Sequence, residues 1–412
     1  MKLSLHKNVA VLSFAMVVVM LGFGMVIPIL PFYIQRLGAG GSAFGFLVAI
    51  AALTELVFGP FWGSLSDRTG RKPILVIGML GFGLSMVFFG ISTRLWQLFV
   101  FRALSGVLSS ATLSPAMAYI GDSTPGRERG GAMGTLGAAA GLGVILGPAM
   151  GGLLAGDSLA TPFFIGAGMA ALAAALIAVF LPESLPREAR KPDGRVGFLN
   201  LREMGGALRS PIGVLLLLAF LVTVGTSNFE SIFSLYAVHP LGYGPREVGV
   251  ILSVVGVVAL IGRGLLTGIL TRRWGEPAVI RGALLAGTLA FGLLLAARSF
   301  PAVLLTAGLF VLISAFLRPA IHSLTSQRAT LGQGAAMGLS GAFVSLGRIV
   351  GPVWAGAIYD LRPWLPYASG AVILGIVFLL SVKWLPRAPR PAGQPAAPEE
   401  SAAAVTGGAR GP

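Results

Sequence analysis

The chain has 412 residues, 55% of them apolar and only 11% charged, with a mean hydropathy of +0.86. No water-soluble domain of that size carries so little charge, so the composition excludes a soluble enzyme and points to a protein that crosses lipid many times. The net charge of +15 would suggest nucleic acid in a soluble chain; here its distribution reads as topology, and the lack of cysteine removes disulfide and thiol chemistry.

Backbone inside hydrocarbon must be satisfied internally, so the spans are helices or a closed barrel. Apolar runs of about 20 residues without period-2 alternation select helices. Twelve are expected, near 9–34, 43–63, 73–91, 95–119, 131–155 and 161–181, then 211–237, 246–270, 278–297, 301–321, 335–359 and 365–385. The first run follows Lys2 and Lys7 and shows no clear cleavage site, so it reads as a retained helix rather than a signal peptide. The fold class is thus an all-α integral membrane protein. Residues 1–181 form one six-helix half, 182–210 a basic linker, 211–386 the second half, and 387–412 a Pro-, Ala- and Gly-rich tail expected to be disordered. Of the 30 Lys and Arg, five lie at one set of span ends (Arg36, Arg94, Arg246, Arg298, Arg362) and four inside spans (Arg102, Arg263, Arg318, Arg348). The other 21 share the side of both termini, which the positive-inside rule makes cytoplasmic.

Between spans two and three, Gly63-Ser64-Leu65-Ser66-Asp67-Arg68-Thr69-Gly70-Arg71-Lys72-Pro73 carries four charges in six residues and is expected to be a hydrated hairpin. The run resembles the signature loop of the major facilitator superfamily, with Gly63, Leu65, Asp67, Arg68, Gly70, Arg71 and Lys72 where that family places them. The resemblance implies two pseudo-symmetric halves and a loop that locks one face of an alternating-access transporter. Asp67 is expected to cap the N-terminus of span eleven, near Gly334 to Met337, when the transporter faces outward.

The halves repeat. Leu37-Gly38 recurs as Leu241-Gly242, Pro115-Ala116 as Pro319-Ala320 and Gly147-Pro148 as Gly351-Pro352, each 204 residues on. Gly63 recurs as Gly268 in a decayed loop whose Arg272 replaces Asp67. One register at equivalent spans indicates duplication of a six-helix unit, with the substrate path between the copies.

Span four contains Leu98-Phe99-Val100-Phe101-Arg102, with Gly106 one turn on. A cation at membrane depth faces a partner or water, unless it snorkels to the surface. The run resembles the superfamily's fourth-helix arginine motif, which implies a part in proton coupling for Arg102. In span five, Gly143, Gly147, Pro148, Gly151 and Gly152 form a close-packing seam with a kink. Their arrangement resembles the fifth-helix motif of proton-driven exporters and tilts the reading towards efflux.

Glu55 and Glu230 are carboxylates inside spans. Glu230 stands among Thr226, Ser227, Asn228 and Ser231, a stretch expected to be hydrated and cavity-facing; burial there would favour its neutral form and suit it to proton exchange. The competing reading pairs it with Arg318 or Arg348. Glu55 divides between a proton site and a structural partner of an arginine, while Arg263 and Arg348 read as structural. Asn228-Phe229-Glu230, Ser234-Leu235-Tyr236 and Arg318-Pro319-Ala320-Ile321 resemble the twelve-helix drug–proton antiporters of Gram-positive bacteria. In those, a glutamate matching Glu230 and a tenth-helix aspartate couple protons to drug; here Ser314, Ala315 and Phe316 precede Leu317-Arg318 with no acid.

The expected function is therefore proton-coupled export of lipophilic cations or zwitterions, by a multi-pass monomer in the bacterial cytoplasmic membrane. A cavity of Met25, Asn228, Phe229, Phe233, Tyr236, Phe310, Arg318 and Phe343 would attract cations to aromatic faces. The partners are drug-like small molecules, protons and the bilayer, with no nucleic acid. No cofactor or metal is expected: His6, His239 and His322 do not cluster, and there is no Walker loop. A symporter or facilitator for a sugar or nucleoside is the alternative, but it predicts more fixed polar residues in the spans. A transport-dead receptor gives no reason for Glu55, Glu230 and Arg102 to lie in lipid.

Overall fold

A computed structural model describes residues 2–156, 158–190, 201–210, 212–329 and 332–385. Residues 191–200 of the expected linker and the expected tail, 387–412, lie outside the described residues. Among the described residues, twelve helices are long and apolar enough to cross a membrane. They are α1 (Lys7–Arg36), α2 (Gly41–Thr69), α3 (Arg71–Gly90), α4 (Leu95–Ser123), α5 (Gly126–Leu154), α6 (Thr161–Phe180), α7 (Gly213–Val238), α8 (Pro245–Trp274), α9 (Glu276–Ala296), α10 (Phe300–Gln327), α11 (Gln333–Leu361) and α12 (Leu365–Trp384). Leu305, Val179, Leu361 and Leu379 point outward, the side-chain chemistry of a lipid-facing rim.

The charged run after span two is not a hairpin from Gly63. α2 continues through it to Thr69 and breaks only at Gly70, whose φ of 112° suits glycine. Hydroxyls of Ser66 and Thr69 bond back to the carbonyls of Gly63 and Leu65, closing the last turns. Past the break, Glu183 accepts from the Arg71 and Lys72 amides at 2.8 and 3.2 Å and caps α3. The duplication appears in the backbone itself. The other positive-φ residues are Gly38, Gly242 and Gly275, so each turn glycine has its counterpart 204 or 205 positions away.

The halves meet chiefly through two helix pairs, α2 with α11 and α5 with α8, with α1 also touching α7 and α8. Both pairs meet at the face opposite the Gly70 turn. A Cβ on Gly249 would stand 2.5 Å from the Pro148 carbonyl oxygen, and one on Gly152 would strike that of Pro245. The copy repeats it: a Cβ on Gly45 would strike the Pro352 carbonyl, and one on Gly356 that of Gly41. Every member of the second contact is offset by 204 from the first. Glycine lets these backbones touch, as small residues do between helices in lipid. Towards the Gly70 face the same helices part: Gly130, Gly134 and Gly137 on α5 and Gly334, Gly338 and Gly341 on α11 have no neighbouring atom within 4 Å of a built Cβ. The halves are closed at one face and open at the other.

One contact at the closed face has no copy. Asp360, at the end of α11, accepts from the Gly41 and Ser42 amides at 2.6 and 2.8 Å and from the Ser42 hydroxyl at 2.5 Å. A carboxylate of one half thus caps a helix of the other. Losing such a cap costs about 0.5–2 kcal/mol, a several-fold change in an equilibrium. In an Asp360→Ala variant, a single cysteine replacing the fully buried Ala355 should react several-fold faster with an impermeant thiol reagent applied from that face. Unchanged labelling would show that the cap does not hold the face shut.

Candidate substrate cavity

A cavity of about 320 Å³ lies between the halves, lined by α1, α2, α4, α7 and α11. Its charged residues are Glu55, Arg102, Glu230 and Arg348, with Ser109, Ser227 and Ser231 beside them. Each carboxylate holds an arginine. Arg318 Nη2 lies 3.3 Å from Glu230 Oε2, and Arg348 Nη1 lies 3.6 Å from Glu55 Oε2. The first pair is internal to the second half, whereas the second pair spans the two halves. Glu230 and Glu55 remain 42% and 43% exposed, so both pairs are wetted and each contributes about 0.2–1 kcal/mol. A proton or a charged ligand can separate them cheaply.

Both residues of the Glu230–Arg318 pair stand at helix breaks. α7 interrupts between Glu230 and Phe233, and α10 between Ala315 and Leu317. Pro319 explains the second: it has no amide to give, and its ring crowds the Ala315 carbonyl. In α7, hydroxyls compete for carbonyls one turn back. Thr223 bonds to Ala219 and Ser227 to Thr223, both at 2.7 Å, and Asn228 Nδ2 reaches Val224 at 2.9 Å. Such back-bonding bends helices. It also narrows the expected hydration: Ser227, Glu230 and Ser231 line the cavity, whereas Thr226 and Asn228 are almost fully buried and bond mainly to their own helix.

Arg102 does not snorkel. It is 8% exposed, donates from Nε to the Leu47 carbonyl at 3.3 Å, and lies 5.8 Å over the Phe23 ring. Gly106, one turn on, brings α4 against α2, since a Cβ there would strike the Thr54 hydroxyl. Arg102 Nη1 is buried with no hydrogen-bond partner.

The expected aromatic wall is elsewhere. Phe229, Phe233 and Phe310 form one ring stack inside the second half, with centroids 4.9 and 4.8 Å apart. Phe291 and Tyr367 extend it, and Tyr236 packs on Tyr367. Asn228 is fully buried and accepts from Ser369 at 3.0 Å. Phe343 packs with Ile212 and Leu216, and Met25 turns into the first half against Gly166. None of these lines the cavity, while Arg318 borders it through Glu230.

The apolar wall comes instead from Met20, Phe23, Ile27 and Leu30 on α1 and Phe44, Val48 and Ala52 on α2. Their signal was present in the sequence: 20, 23, 27 and 30 share one helix face, and 44, 48 and 52 share the face of Glu55. The expected seam glycines serve contact between helices. A Cβ on Gly143, Gly147 or Gly151 would stand 2.5–2.6 Å from α1 carbonyls, and Gly152 faces α8. In the loop, Arg71 is 8% exposed and binds Ser66 Oγ at 2.6 Å, Asp122 at 3.0 Å and Asp67 at 2.5 Å. Asp67 is therefore engaged within its own half in this conformation, away from α11.

The family model of the Major Facilitator Superfamily matches residues 12–329 and again 215–410. The chain is 32% identical to multidrug resistance protein 2 and 33% identical to multidrug resistance protein 1, both of Bacillus subtilis. Those alignments cover 89% and 88% of this chain and 92% of each relative. The quinolone resistance protein NorA of Staphylococcus aureus is 29% identical over 92% of this chain and 97% of its own. In fold the chain is similar to the nucleoside transporter NupG, with a TM-score of 0.81 at 12% identity, covering 92% of this chain and 100% of that one. A bacterial homologue of the human lysosomal transporter Spinster gives 0.73 at 18% identity, over 95% and 100%. The chain belongs to the Major Facilitator Superfamily and is a multi-pass membrane transporter.

The ring stack sets an outcome that separates packing from binding. Phe310→Ala removes a fully buried ring and should cost about 3–5 kcal/mol, seen as a large fall in melting temperature. Protein that does fold should bind dye with wild-type affinity, because Phe310 does not reach the cavity. A selective loss of affinity without loss of stability would return Phe310 to the site.

Proposed function

We propose that this transporter is a proton-coupled exporter of amphipathic drug-like compounds, working by alternating access. The observation that carries the reading is the pair of wetted carboxylates in one cavity, each held by an arginine that competes with any proton. The relatives' names support the drug class, and the apolar wall suits such molecules better than a sugar, which needs several fixed hydrogen-bond partners. With the basic loops on the cytoplasmic side, the open face is cytoplasmic and the cavity faces inward to collect its load. Opening the other face requires parting the two glycine contacts and the Asp360 cap. Closing the Gly70 face would bring Asp67 towards the start of α11. A proton reaching Glu230 from outside removes the charge that holds Arg318, weakens substrate binding and favours return. One charge crossing 100 mV supplies about 2.3 kcal/mol, sufficient for about a fiftyfold gradient. Glu55 is the second candidate carrier, with Arg102 beside it.

Glu230→Gln keeps shape and cannot titrate. In everted vesicles energised by respiration, this variant should fold and insert yet lose proton-driven dye uptake and substrate-triggered proton release. Uptake at the wild-type rate would remove Glu230 from coupling.

A further inference from the structure

Counting Arg318, which reaches Glu230 from beside the cavity, three arginines face two carboxylates. Glu55 holds Arg348 and Glu230 holds Arg318, and among the described residues no carboxylate lies within ion-pair distance of Arg102, which feels Glu55 only at longer range. Arg102 is more than nine-tenths buried, lines the cavity, and keeps one guanidinium nitrogen without an acceptor. A buried cation with an open donor is costly, and in a binding cavity it marks the place of an absent acceptor. Arg348 stands on the same wall, half exposed, with one ion pair among the described residues, a long 3.6 Å contact to Glu55. Its remaining N–H groups are available to a ligand.

We propose that Arg102 and Arg348 together form an anion subsite, so that the preferred substrate is an amphipathic acid or zwitterion. Its carboxylate or sulfonate would take donors from both guanidiniums, a geometry the planar fork of arginine matches. The apolar body would lie on Phe23, which borders Arg102, and on Met20 of the same wall. Glu55 is then the internal competitor: the arriving anion displaces it from Arg348, and a positive group on the same substrate can take the freed carboxylate. This inference rests on the drug-exporter reading and narrows its substrate. It also departs from the charge preference expected of a lone ionised Glu230, which would favour simple lipophilic cations.

A matched dye pair tests the subsite. At neutral pH rhodamine B carries a free carboxylate, and its ethyl ester is a cation of nearly the same shape. Fluorescence anisotropy with the purified transporter should show the acid bound about tenfold more tightly than the ester, the equivalent of about 1.4 kcal/mol. Arg348→Gln should erase that advantage, and Arg102→Lys, which keeps the charge but loses the fork, should reduce it several-fold. Glu55→Gln should enlarge it by removing the competitor, a gain that misfolding cannot imitate. Ester binding equal to or tighter than acid binding, or an advantage that survives Arg348→Gln, would overturn the subsite and leave the exporter reading standing. Binding of neither dye would overturn both.

Discussion

Hydrocarbon offers no hydrogen bonds, and this one constraint orders the molecule. Among the described residues it forces twelve spanning helices whose backbones are satisfied within themselves. It also makes every irregularity at membrane depth meaningful, because a broken helix is tolerated only where it lines water or is buried in protein. The breaks beside Glu230 and Arg318 obey that rule: the first lies at the cavity wall, the second is covered by protein, and the two side chains they aim meet within the second half. A third irregularity, the π turn at Gly262–Leu266 in α8, carries Arg263 and is anchored by Thr267 bonding to the Gly262 carbonyl at 2.8 Å.

Closure and chemistry follow different symmetries. The glycine contacts that shut one face are true copies, each residue matched 204 positions away, as a duplicated unit packing against itself would produce. The charged groups are not copied. Asp360 caps α2, but the equivalent position, just past the end of α5, is Gly156, and α8 is capped by its own Glu247, which accepts from the Gly244 amide at 3.0 Å. Asp67 has become Arg272 in the second turn. Backbone packing tolerates repetition, whereas a vectorial transporter needs its two faces to respond to different signals.

Much of this was legible in the sequence because its causes are local or periodic. Span number follows from hydropathy, the turn glycines from the repeat, and the break in α10 from Pro319. The carboxylates and Arg102 stood out because charge in lipid is costly. What escaped depended on which way a helix faces. Phe229 and Glu230 are neighbours in sequence but about 100° apart around α7, so reading them as one site placed an inward ring stack on the cavity wall. The hydroxyls of α7 suggested water, yet a helix can absorb them through its own carbonyls. The partner of each carboxylate was likewise undecided, since Arg318 and Arg348 were equally available until the helices were packed.

The energetics of the cavity separate its charges into two kinds. Glu55–Arg348 and Glu230–Arg318 are wetted pairs, close in free energy to their separated states, and so they can change partner in every transport cycle. Arg102 is different: it is buried and held by one carbonyl and one aromatic ring, with one guanidinium nitrogen left unsatisfied. On the proposed reading, a site built from loose pairs and one fixed, unsatisfied cation would select for charge while remaining permissive of shape. The apolar wall of α1 and α2 would then accept whatever body the charged group brings with it.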